Sequence, residues 1–66
     1  MTKREVKIDG DIVSVENVVS IIPKFVDGVL VREITYGKGH QMRKTIVDYD
    51  KGYEIEKKVR KGMYRL

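Results

Sequence analysis

Apolar and polar positions alternate between Glu5 and Val15, with Val6, Ile8, Val13 and Val15 set against Glu5, Lys7 and Ser14. A period of two predicts strands that bury one face. Asp9-Gly10 interrupts the alternation, and an Asp-Gly pair readily supplies the positive φ angles of a tight hairpin turn. A two-residue turn there places Val6 opposite Val13, with Ile8 and Val15 on the same face.

A second pair, Asp27-Gly28, aligns Val26 with Val29 and Phe25 with Leu30. That hairpin is apolar on both faces and is expected to form the centre of the core. Upstream, Asn17 offers a cap for a short helix carrying Val18, Ile21, Ile22 and Phe25. The β-branched residues and Pro23 in this stretch favour a strand or bulge instead.

The pattern beyond Val47 has two readings. A three-residue turn, Asp50-Lys51-Gly52, pairs Tyr49 with Tyr53 and Val47 with Ile55, at the cost of setting Asp48 against Glu54. Against it, Ile55, Val59 and Met63 recur every fourth residue, Glu54 and Lys58 are spaced as a helical ion pair, and Gly62 is placed to end a helix. A strand turning helical near Lys57 satisfies both. The expected fold class is therefore all-β: five or six short strands forming a small barrel or a rolled antiparallel meander built from hairpins. The alternative is an α+β arrangement with a short C-terminal helix.

Size sharpens this picture. A chain of 66 residues has room for one domain, residues 1–66, and sits near the limit at which a single core sustains a fold. Small proteins commonly add disulfides, metal or a partner subunit. Cysteine is absent and His40 is the single histidine, which removes disulfides and Cys/His zinc sites. A homo-oligomer is accordingly expected. The charged start lacks the apolar run of an export signal, and Val18–Ile22 stops at Pro23, far short of the roughly 18 apolar residues of a membrane span. These features predict a soluble, cytoplasmic protein without a membrane partner.

Charge is the main pointer to function. The net charge is +4; residues 1–33 hold five basic and six acidic side chains, and residues 34–66 hold nine and four. The halves are thus −1 and +5, an asymmetry suited to a polyanionic partner, either nucleic acid (DNA or RNA) or an acidic protein surface.

Catalytic chemistry is poorly represented. There is no cysteine nucleophile, no histidine pair and no nucleophile elbow, so no enzyme activity and no cofactor are expected. His40 in a Gly-Lys-Gly-His loop reads as an exposed histidine. Asp48, Asp50, Glu54 and Glu56 match no calcium-loop spacing and read as a solvated acidic face balanced by lysines. Gly37-Lys38-Gly39 would let backbone amides approach a phosphate, but it lacks the longer nucleotide-binding pattern and reads as an inter-strand loop.

Two acid-free basic stretches stand out, each with an aromatic residue: Tyr36 to Lys44, and Lys57 to Leu66. Cations beside an aromatic platform suit phosphate attraction and base stacking. The expected binding set is Tyr36, Lys38, Arg43, Lys44, Lys58, Arg60, Lys61 and Tyr64. Its rivals are a protein-binding inhibitor or accessory factor acting through a sheet edge or the apolar hairpin, and a self-assembling structural protein.

Overall fold

A computed structural model describes residues 4–63. Two strands, β1 (Glu5–Ile8) and β2 (Asp11–Ser14), form one sheet; a 3-10 turn at Val15–Asn17 leads into a second sheet. That sheet has the order β3-β4-β5, with β3 at Val18–Val26, β4 at Val29–Tyr36 and β5 at Arg43–Asp48, all antiparallel. The helix α1, Tyr49–Met63, follows without a loop. The architecture is mostly β with one C-terminal helix, and the described strands close no barrel.

Both Asp-Gly turns form in the expected register. Asp9 and Gly10 take φ of 51° and 85°, and Asp27 and Gly28 take 52° and 79°. Val6 faces Val13, and Val26 faces Val29. The segment after Asn17 is a strand, with its irregularity between Val18 and Ser20.

The third hairpin does not form. Tyr49, Tyr53 and Ile55 all lie on α1, which begins eight residues before Lys57. The helix wins because it buries Ile55 and Val59 on one stripe, and it removes the Asp48–Glu54 confrontation that the hairpin would have imposed. Asp50 in its first turn also complements the helix dipole.

The core lies where three elements meet one sheet face. Val6, Ile8, Val13 and Val15 from the first hairpin and its 3-10 turn pack with Val18, Ile34 and Tyr36 of the second sheet and with Ile55 and Val59 of α1. Ile8 and Ile34 are fully enclosed. The second hairpin is not the core centre that its sequence suggests: Phe25 is 70% exposed and Val29 59%. The reason is reach. Nine residues of β3 extend about 30 Å, whereas fifteen helical residues cover about 22 Å. The tip of the β3–β4 hairpin therefore projects beyond its covering layer in a molecule measuring 41 × 28 × 18 Å.

Strand alternation assigns the two faces of this sheet. Arg32, Ile34 and Tyr36 point toward the helix and first hairpin. Val31, Glu33 and Thr35 point the other way, onto a face that no other described element covers. Among the described residues, no helix is long and apolar enough to cross a membrane.

Candidate nucleic-acid interface

The loop between β4 and β5 is built by glycine. Gly37 takes φ +137°, and a Cβ there would collide with the backbone of Gln41 and Met42. Its N–H donates to Asn17 O at 2.9 Å, and the Gln41 N–H donates to Lys38 O at 3.0 Å. The resulting turn leaves Lys38 and His40 exposed.

β5 then divides the basic residues between faces. Arg43 lies opposite Tyr36 on the covered face, with its Nη1 3.9 Å from Asp11 Oδ2. Lys44 pairs with Thr35 and belongs to the uncovered face. Lys58 and Arg60 are exposed on α1, on the other side of the sheet. Lys44 therefore does not share a face with Lys58 and Arg60. The side chain of Lys61, like Tyr64, lies outside the described residues.

Tyr36 is not a stacking platform. It is 5% exposed, and its hydroxyl donates to Asp11 Oδ2 at 3.4 Å. Burial, and then the Asp11 carboxylate, push that hydroxyl above its ordinary value. The ring faces the core because the alternation of Arg32, Ile34 and Tyr36 places all three beneath α1 and the first hairpin.

The exposed tyrosines among the described residues lie on the helix instead. Tyr53 is 50% exposed and Tyr49 38%. Lys57 Nζ stands 5.3 Å from the Tyr53 ring centroid, and the Arg32 guanidinium stands 4.4 Å from Tyr49 and 5.9 Å from Tyr53. These distances fall in the cation–π range. Reading Tyr49 and Tyr53 as a cross-strand pair concealed this arrangement, although their spacing of four already fits one helical ridge.

Arg32 anchors the N-terminal half of the helix. Its Nη1 donates to Glu56 Oε1, and Glu56 also lies 3.7 Å from Arg60 Nη2. Burial by itself would pull the guanidinium down, but Tyr49 and Glu56 outweigh it, and the net direction is up. Arg32 therefore stays charged beneath the helix, with its Nε buried and lacking a hydrogen-bond partner.

Pairing consumes acids selectively. Glu33 is held by Lys24, Glu56 by Arg32 and Arg60, and Asp11 lies near Arg43. Among the described residues, Lys38, Lys44, Lys57 and Lys58 make no ion pair. The helix also disperses the carboxylates of residues 48–56, and no group of three metal-ligating side chains gathers among the described residues. Compared with protein-family models, curated proteins and solved structures, the chain matches none.

Proposed function

We propose that this protein is a cytoplasmic, non-enzymatic nucleic-acid-binding module that uses the exposed ridge of α1. The observation that carries this reading is the half-exposed Tyr53 with Lys57 beside its ring and Lys58 and Arg60 in the following turn. Lys57 and Arg60 on the Tyr53 ridge, and Lys58 on the other flank of the exposed side, attract phosphates, and the tyrosine offers a flat face to an unpaired base. Lys44 belongs to the opposite face of the sheet and Lys38 to the β4–β5 loop.

Binding of labelled single- and double-stranded DNA and RNA, measured over a salt series, tests this reading. Replacing Lys57, Lys58 and Arg60 with glutamine is expected to weaken binding to all sequences and to flatten the log–log salt slope by about 2–3. Tyr53→Ala is expected to cost single-strand binding about 1 kcal/mol or more. No detectable binding at low salt refutes the proposal, and loss only on replacing Lys38 and Lys44 moves the interface off the helix.

A protein-docking module is the second reading, supported by the exposure of Phe25, Val29 and Leu30 at one hairpin tip. It predicts a host protein retained after nuclease treatment and released by Phe25→Ser.

A further inference from the structure

The two edges of the three-stranded sheet are finished differently. The Asp27-Gly28 turn has positive φ at both central residues, so Val26 and Val29 flank it as a hydrogen-bonded pair. Alternation from that pair turns the main-chain groups of Phe25, Pro23 and Ile21 away from β4, toward the outer edge of β3. Pro23 therefore sits where its missing N–H blunts the edge against further pairing.

The same alternation directs Arg32, Ile34 and Tyr36 toward β5, where they meet Val47, Thr45 and Arg43. The main-chain groups of Lys44 and Ile46 and the N–H of Asp48 consequently point outward, whereas Asp48 O accepts the first hydrogen bond of α1. β5 is the end strand, contains no proline, and its edge residues Lys44, Ile46 and Asp48 are all exposed.

This edge is complementary to itself. When two copies run antiparallel with Ile46 opposite Ile46, Lys44 of each faces Asp48 of the other. The central Ile46 pair exchanges two main-chain hydrogen bonds, and in each flanking pair the Asp48 N–H donates to Lys44 O, because Asp48 O already accepts the first bond of α1. On the uncovered face, the row Ile22–Glu33–Ile46 continues directly into its symmetry mate, bringing the two half-exposed Ile46 side chains together. Other registers lose this match: shifting by one residue on each strand puts Ile46 against a charge, and shifting by two sets Lys44 against Lys44 or Asp48 against Asp48.

We propose that the outer edge of β5 pairs with β5 of a second copy, centred on Ile46, to give a two-fold dimer with one six-stranded sheet. The contact is isologous and closes on itself, so it ends at two copies instead of propagating, and the blunted β3 edges become the outer edges of the assembly. Both uncovered faces lie on one side, and both helices lie on the other. The proposal goes beyond nucleic-acid binding and uses none of the helix cations.

Sedimentation of the full chain, from low micromolar to near-millimolar concentration, tests it together with charge reversal. Wild type is expected to dimerise reversibly. Lys44→Asp and Asp48→Lys each turn two attractive cross-strand pairs into repulsive ones and are expected to weaken the dimer about tenfold or more. An equimolar mixture of these two variants restores opposite charges at every pair and is expected to recover dimers that neither forms alone. Amide exchange on wild type supplies a readout that needs no variant. Protection should rise with concentration at Ile46 and Asp48, but not at Thr45 and Val47, whose amides already face β4. A monomer at every concentration, a mixture that stays monomeric, or concentration-dependent protection elsewhere but not at these amides would overturn the proposal.

Discussion

Gly52 tests how α1 is seated. It is buried in the first turns of the helix, and a Cβ built on it would stand 2.7 Å from both Cβ and Cδ of Arg32 and 2.9 Å from Cγ. In an exposed helix interior, Gly→Ala stabilises by up to about 1 kcal/mol. Here the new methyl meets the root of a side chain on the central strand, which cannot swing aside as a distal atom would. Relief requires either lifting the helix from β4 or moving Arg32 away from Tyr49, Tyr53 and Glu56. Overpacking typically costs about 1–3 kcal/mol, and displaced cation–π contacts add about 0.5–1 kcal/mol. The net expectation for Gly52→Ala is a loss of about 1–2 kcal/mol, or roughly 7–14 °C in Tm. Urea titration followed by far-ultraviolet circular dichroism measures the loss, and the near-ultraviolet tyrosine signal reports the displacement of Arg32. Lys51→Ala, one residue away and exposed, should change stability by less than about 0.5 kcal/mol. Gly52→Ala as stable as wild type would refute the close seating of the helix on Arg32.

Three further outcomes follow from the same packing. Glu56→Ala leaves the Arg32 guanidinium buried without its carboxylate and should cost about 2–3 kcal/mol by urea titration, below the full cost for a buried pair because Glu56 is one-quarter exposed. The raised Tyr36 hydroxyl implies stability that is fully present below its unfolded value of about 10 and is lost as pH rises from there through the folded value. Unfolding titrations on either side of pH 10 should show this decline, and Tyr36→Phe should remove its part of it. Ile34→Ala should cost about 3 kcal/mol and Phe25→Ala under about 1, a contrast opposite to the one expected if the second hairpin held the core.

Short-range features were legible from the residues alone. Each Asp-Gly turn specifies its own register, because a two-residue loop with positive φ leaves the flanking strands a single alignment. The inward side of β1 and β2 follows from alternation, and Ile55 and Val59 are buried at the spacing that marked them as helical. The basic character of Lys38, Lys44, Lys58 and Arg60 was equally plain, since charge depends on composition and not on placement.

Only the tertiary structure decided between competing patterns over residues 47–55. Local turn chemistry allowed a hairpin, but burying Ile55 and Val59 on Ile34 and the first hairpin favoured a helix, and Gly52 serves close approach to Arg32 instead of a turn. Tertiary packing also exchanged the roles of the aromatics, enclosing Tyr36 and exposing Tyr53. Periodicity tells which side chains share a face, but whether that face is covered depends on how far the packed layer extends. Here a helix of about 22 Å lies across a strand of about 30 Å, so the paired apolar residues Phe25 and Leu30 are left beyond its end.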